Sequence, residues 1–173
     1  MAPLNIWRGL LPALWLTLAM VCSAEAFGLP QPTGKVVLEV SGAIGQGNGS
    51  SARAQFDMAM LKQMPAVSID TSTPWFEGIH KLTGVRLADL LKAVGASGNI
   101  IEAIALNDYM VEIPVRDAAE DDVIIAYAYD DQPMSVREKG PLWVIYPLAD
   151  RPMLNTPEVQ AKMIWQLKAM TIQ

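Results

Sequence analysis

Residues 71–91 read Thr-Ser-Thr-Pro-Trp-Phe-Glu-Gly-Ile-His-Lys-Leu-Thr-Gly-Val-Arg-Leu-Ala-Asp-Leu-Leu, and the remainder of the chain takes its place relative to this stretch. A short β-rich run, Ala66 to Asp70, leads into it. Pro74 biases Thr73 toward extended backbone, and the polar middle reads as a loop. Gly84-Val85-Arg86 then feeds an amphipathic helix, Leu87 to Val94, whose Leu87, Leu90, Leu91 and Val94 share one stripe and whose stop is Gly95. Two large aromatics, Trp75 and Phe76, and the only histidine, His80, fall in that loop. Large apolar groups left in irregular segments mark binding surfaces, so the loop is expected to form the rim of a ligand pocket.

Beyond the helix, Ile100 to Leu106 and Met110 to Pro114 are β segments around Asn107-Asp108-Tyr109, a hairpin turn by its Asn and Asp. Asp117, Glu120, Asp121 and Asp122 form an acidic patch of the kind that lies on a solvated face. Val123 to Tyr129 reads as a strand, Asp130 to Pro133 as a turn, and Pro141 to Pro147 as an apolar strand with proline at both ends. A proline-rich loop, Pro147 to Pro157, precedes a closing segment from Val159 to Ile172, whose alternation near the end points to a strand. Before the central stretch, Lys35 to Ser41 should open a sheet, Gly42 to Ser51 is a hairpin or loop, and Phe56 to Met64 carries apolar residues at helical spacing up to Pro65. Strands outnumber helices without alternating with them. That pattern favours an α+β fold, a mixed β-sheet core with a few short helices, over a doubly wound sheet.

The first 26 residues stand apart. Arg8 precedes an apolar run from Gly9 to Cys22, and Ala24-Glu25-Ala26 supplies a small-x-small cleavage pattern, so residues 1–26 are expected to be a cleaved signal peptide and residues 27–173 one exported, periplasmic domain. The run is shorter than the roughly 20 residues a spanning helix needs. Cys22 is the sole cysteine. After cleavage no thiol remains, which removes disulfides, thiolate metal ligands and a cysteine nucleophile together. A net charge of −5 without a Lys/Arg stripe argues against nucleic acid and anionic membranes as partners.

The order of motifs carries more. Gly-Val-Arg-Leu-Ala-Asp-Leu-Leu-Lys-Ala-Val-Gly (84–95), Asn-Asp-Tyr-Met-Val-Glu-Ile-Pro (107–114), Ile-Ala-Tyr (125–127), Gln-Pro-Met (132–134) and Lys-Gly-Pro-Leu-Trp-Val-Ile-Tyr-Pro (139–147) together resemble the molybdopterin-binding domain of sulfite-oxidase-type oxidoreductases. The resemblance spans nearly all of the mature chain. In that family a cysteine sulfur after the strand matching Val67 to Asp70 binds molybdenum; here Thr71, Ser72 and Thr73 stand there. A hydroxyl is a poor substitute for thiolate at such a metal. The departure resembles the short periplasmic PruR-like branch, and implies a free pterin, reduced or not, in preference to molybdopterin. It implies as partner the periplasmic region of a membrane diguanylate cyclase/phosphodiesterase. The alternative is a molybdopterin-dependent oxidoreductase domain, and a third reading is a scaffold module with a vestigial pocket. A Ser72/His80/Asp triad lacks a nucleophile-elbow pattern.

A pterin needs an aromatic face, a carboxylate for its amino-pyrimidine edge and donors for its carbonyl edge. Trp75, with Phe76 behind it, is the aromatic candidate, against the alternative of a ring folded onto the core. His80 shares its segment and reads either as a ligand contact or as a structural hydrogen-bonder. Arg86 precedes a helix, where its charge opposes the dipole, which hints at another duty. Asp108 and Tyr109 offer a carboxylate and a ring, or merely turn geometry and a core tyrosine. Arg137, Lys139 and Gly140 form a donor cluster in which glycine lets backbone amides approach a ligand, or else a solvated loop. Trp143 and Trp165 are read as core. No metal set can be built from one histidine.

Overall fold

The computed structural model describes residues 28–49 and 52–173. The expected leader, residues 1–26, with Arg8 and Cys22, lies outside the described residues. Ten strands fall into two sheets. The first runs β2-β1-β10-β5-β6, from β1 (Val36–Gly42), β2 (Arg53–Asp57), β5 (Ile100–Ala105), β6 (Met110–Pro114) and β10 (Leu167–Ile172). Its β1–β10 pairing is parallel and the others are antiparallel. Alternation explains its buried face: Leu38 and Val40, Ile101 and Ala103, and Met170 and Ile172 turn inward.

The second sheet centres on β7 (Ile124–Tyr129), paired along one edge with β4 (Phe76–Arg86), which in turn pairs with β3 (Ala66–Thr73). Along its other edge β7 meets β9 (Trp143–Ile145) at Ile124 to Ala126 and the short β8 (Gln132–Pro133) at Ala128 and Tyr129. Ile124, Ile125 and Ala126 are fully buried in succession, as a strand covered on both faces must be. Among the described residues four short helices complete the fold: α1 (Met58–Gln63), α2 (Leu87–Ala93), α3 (Val115–Glu120) and α4 (Pro157–Lys162). The architecture is the α+β mixed-sheet fold expected.

Several local readings need correction. Residues 71–84 are not an irregular loop: β3 and β4 form a long hairpin closed by the Pro74-Trp75 turn between paired Thr73 and Phe76. From Thr71 outward the β3 arm carries hydroxyl side chains on both faces, Thr71 and Thr73 inward and Ser72 outward, so this part lacks the apolar alternation that marks a half-buried strand. Its bulge lies at Glu77-Gly78-Ile79, where Gly78 has φ +88°. Gly84 interrupts β4 for a different reason, since a Cβ there would meet the Ile125 carbonyl oxygen at 2.1 Å. The helix expected over 56–64 begins at Met58, because Phe56 and Asp57 belong to β2. Asp57 is its cap: the carboxylate accepts the amides of Met60, Thr33 and Gly34 at 2.8, 2.8 and 2.7 Å, and those bonds, led by Met60, hold its pKa below the usual carboxylate value.

Asp117 is the other correction. It does not face solvent with its acidic neighbours but is buried, accepting the Tyr146 hydroxyl at 2.8 Å and the Lys162 ammonium at 2.6 Å. Glu120 to Asp122 stay near the surface, where Arg86 reaches Asp122 at 2.8 Å and Arg151 also pairs with it. Finally, the closing segment is part helix and part strand, with α4 before β10.

Candidate functional site

The Pro74-Trp75 turn sets one indole against two others. Trp75 lies 5.7 Å from Trp143 at 59° and 5.1 Å from Trp165 at 83°, the second an edge-to-face arrangement that suits aromatic quadrupoles. Trp143 is fully buried on β9 and donates its indole N–H to the Met163 carbonyl at 2.9 Å. A bridge between Trp143 and Trp165 places the third ring. Trp75 and Trp165 are half-buried, and both line a cavity of about 330 Å³. That volume falls within the range of small-molecule sites, roughly 300–1,000 Å³.

The opposite wall comes from elsewhere in the chain. Asn107 and Tyr109 enter from the β5–β6 turn, Gln160 and Ala161 from α4, and Ala105, Met163 and Ile164 fill in between. Tyr109 is 53% exposed, so it is a rim residue and not the core tyrosine of the bland reading. Asp108 sits at φ +65° in the same turn and points to Lys168, 2.5 Å away. It supplies turn geometry and an ion pair, and does not line the cavity.

Behind the two indoles stands an ammonium. Lys139 Nζ lies 4.0 Å from the Trp165 ring centre, 5.4 Å from Trp75, 5.5 Å from Phe76 and 5.6 Å from Trp143. Burial alone pulls its pKa below the usual lysine value. The backbone at Lys139 is left-handed, φ +72°, and its carbonyl accepts the Gln166 amide at 2.9 Å. The rest of the expected donor cluster is arranged otherwise. Arg137 sits exposed in a short 3₁₀ turn, and the Gly140 amide is already bonded to the Ser135 carbonyl at 2.8 Å. Glycine is required at 140 because a Cβ would strike the Met134 carbonyl at 2.1 Å, not because a ligand approaches.

His80 and Arg86 lie away from this cleft. His80 stacks on Tyr129, 4.7 Å apart at 28°, with Nδ1 2.9 Å from Asp130 and Nε2 2.7 Å from the Glu77 carbonyl. Both ring nitrogens face acceptors, so the doubly protonated ring is favoured and its pKa rises, chiefly through the Asp130 bond. A second cavity, about 240 Å³, opens beside it between Phe76, Tyr129, Asp130 and Glu138. Arg86 caps the start of α2 without bonding it and is held by Asp122.

Trp165, Asn107 and Gln160 escaped sequence reasoning. Trp165 read as core; in the structure its neighbours Ile164 and Leu167 are buried, while Trp165, before a chain reversal at Gln166 with φ +54°, is half-buried and lines the cavity. The sequence held one usable signal, a third tryptophan beside a polar residue ahead of a strand.

The matches to known proteins meet this geometry. The model of the oxidoreductase molybdopterin binding domain matches residues 37–149. The chain belongs to that family. Its match includes Trp75, Asn107, Tyr109 and Lys139, while Gln160 and Trp165 lie beyond it. Among solved structures, the sulfane dehydrogenase SoxCD from Paracoccus pantotrophus superposes with a TM-score of 0.56 at 16% identity, covering 78% of this chain and 37% of that one. The chain thus spans well under half of that protein's chain, and at this identity the likeness speaks for the fold. No curated protein sequence matches. The fold is therefore that of a molybdopterin-binding, oxidoreductase-like domain.

The family's metal does not fit the donors present. Thr71 is fully buried, and its hydroxyl accepts the Ala149 amide and donates to the Ser72 carbonyl, both at 3.2 Å. The Thr73 hydroxyl is buried with no partner among the described residues. Neither offers the sulfur that would hold molybdenum, and no group of three His, Cys, Asp or Glu side chains capable of holding a metal occurs among the described residues. The organic half of the cofactor fits better: two indoles give stacking faces, and the side-chain amides of Asn107 and Gln160 give donors and acceptors at the cavity edge.

Proposed function

We propose that the cavity lined by Trp75 and Trp165 binds a free pterin, and that the domain works as an exported binding module whose occupancy is read by the periplasmic region of a membrane cyclase/phosphodiesterase. The observation that carries the ligand is the pair of half-buried indoles, 5.1 Å apart, on a cavity of about 330 Å³ in a molybdopterin-binding fold. Export and the membrane partner rest on the leader-like residues 1–26 and on the resemblance to the pterin-binding branch. In this reading one of the two perpendicular indoles stacks on a face of the flat ring system while the other meets its edge, Asn107 and Gln160 orient its polar edge, and Tyr109 closes the mouth. Titration of the purified protein with a reduced pterin should quench tryptophan fluorescence to saturation. Trp75→Ala should weaken binding, and a protein that shows no saturable binding of any pterin would sink the proposal.

The second reading, a molybdopterin-dependent oxidoreductase, is favoured by the family match itself. It requires the metal to be held without a protein thiolate in the Thr71 to Thr73 segment. Metal analysis of protein from its native host separates the two: stoichiometric molybdenum supports the oxidoreductase, and its absence alongside bound pterin supports the binding module.

A further inference from the structure

We propose that Asn107 decides which heterocycle the cavity takes, by donating to a ring carbonyl of the ligand, so that the 4-oxo (lactam) ring is selected over its 4-amino counterpart. The inference deepens the reading of the cavity as a pterin site and rests on it. Asn107 and Gln160 are the two carboxamides on the lining. Each carboxamide has a donor end and an acceptor end, and the fold has already engaged one end of each.

Asn107 sits in the β5–β6 turn, where its Oδ1 accepts the Tyr109 amide at 3.2 Å. A backbone N–H can only donate, so the oxygen must be the end turned toward it, and the Nδ2 amino group is the end left over. The turn around it is fixed by its own backbone. The Asp108 amide donates to the Ala105 carbonyl at 3.0 Å and the Ala105 amide to the Tyr109 carbonyl at 2.9 Å. The Leu106 amide donates to the Gln166 carbonyl at 2.9 Å, which ties the turn to the segment carrying Trp165, another wall of the same cavity.

Gln160 is engaged in the opposite sense. Its Nε2 donates to Asn155 Oδ1 at 2.8 Å, and Oε1 remains as an acceptor. One donor and one acceptor on the lining match a ligand that carries both a carbonyl oxygen and a ring N–H, the pair that a lactam presents. An amino group in place of that carbonyl would set N–H against N–H at Asn107 and leave both donors unpaired. A site built to hydrogen-bond one group rejects the analogue that cannot make the bond.

Two probes test this: pterin, with a carbonyl at ring position 4, and 2,4-diaminopteridine, with an amino group there. Each is offered to the full chain in its aromatic and its tetrahydro form, and binding is measured by calorimetry at neutral pH. The wild type should prefer pterin by about tenfold, the size of one hydrogen bond. Asn107→Asp keeps the oxygen that holds the Tyr109 amide but puts an acceptor where the donor was, so it should reverse the order of the two probes. A residue that served only the turn would leave that order alone. Equal binding of both probes to the wild type, or a preference for pterin that survives Asn107→Asp, overturns the assignment and leaves the pterin site standing. Failure of both probes to bind the wild type in either form overturns the site and this inference together. Should Asn107→Asp not fold, Asn107→Ala decides in its place, and it should bring the two affinities together.

Discussion

Lys139 and Lys162 are both half-buried lysines near one cleft, and the protein treats them in opposite ways. Lys162, at the end of α4, meets the buried Asp117 at 2.6 Å, and that carboxylate also takes the Tyr146 hydroxyl. The tyrosine's pKa is driven far upward, first by burial and then by the carboxylate it bonds, so it remains a neutral donor. Lys139 receives four aromatic rings and, among the described residues, no carboxylate. The first arrangement is electrically complete and braces the wall that supplies Gln160 and Ala161 to the cavity. The second holds its charge against aromatic faces alone.

Removing Asp117 breaks the comparison most severely. Asp117→Ala leaves the Lys162 ammonium and the Tyr146 hydroxyl without their acceptor, and the loss of one partner of a buried ion pair costs about 3–5 kcal/mol. Urea denaturation should show the midpoint fall by an amount of that order. A change under about 1 kcal/mol, the scale of an exposed pair, would mean that the brace contributes no more than a surface contact.

On the cleft side the largest effect is expected from Trp75→Ala. Stacking of a base-like heterocycle on an aromatic side chain is worth about 1–3 kcal/mol, so pterin affinity should drop by roughly tenfold or more. Stability should fall less than for a fully buried tryptophan, because this ring is only half-buried. Trp165→Ala should behave alike in binding titrations; unchanged affinity would remove that ring from the site.

Lys139→Met sharpens the contrast from the other direction. Cation–π contacts at partly exposed sites contribute about 0.5–1 kcal/mol, so thermal unfolding should move little. A loss on the scale expected for Asp117→Ala would make Lys139 a second brace and not a cation held weakly by aromatic faces.

The smallest effect concerns a third kind of charge pair. His80 and Asp130 meet on the surface of the hairpin arm, and the folded pKa of His80 lies above the ordinary imidazole value of 6.5. Its contribution to stability is fully present below that ordinary value and is lost as pH rises through the raised one. His80→Gln should accordingly lower Tm slightly in acid and match the wild type at alkaline pH. A pH-independent difference would show that stacking on Tyr129, not protonation, is what the ring supplies.

Much of the fold was legible before any coordinates. The strands β1, β5 and β6 declared themselves through β-rich runs that bury one face against the body, β7 through a continuous apolar run, and the helix α2 through a leucine stripe bounded by glycine. The outer part of the β3–β4 hairpin did not, since the inward face of its β3 arm carries threonines, Thr71 and Thr73, where an apolar pattern would show. Asp117 was read as surface because an acidic run is ordinarily solvated. Its burial depends on Tyr146 and Lys162, which lie 29 and 45 residues away in sequence.

The candidate site divides along the same line. Composition and local pattern determined the α+β class and put Trp75 in a polar segment after a strand, and the family resemblance put the Thr71-Ser72-Thr73 hydroxyls where that family has its metal-binding sulfur. Only the tertiary structure could gather Trp75, Lys139, Trp143 and Trp165 around one ammonium, and add Asn107, Tyr109 and Gln160 as the facing wall. Local sequence specifies backbone preference and which face of an element is apolar. It is blind to which distant segments those faces will meet, because pairing of β9 with β7 and bridging of Trp143 to Trp165 are decided by the packing of the whole chain.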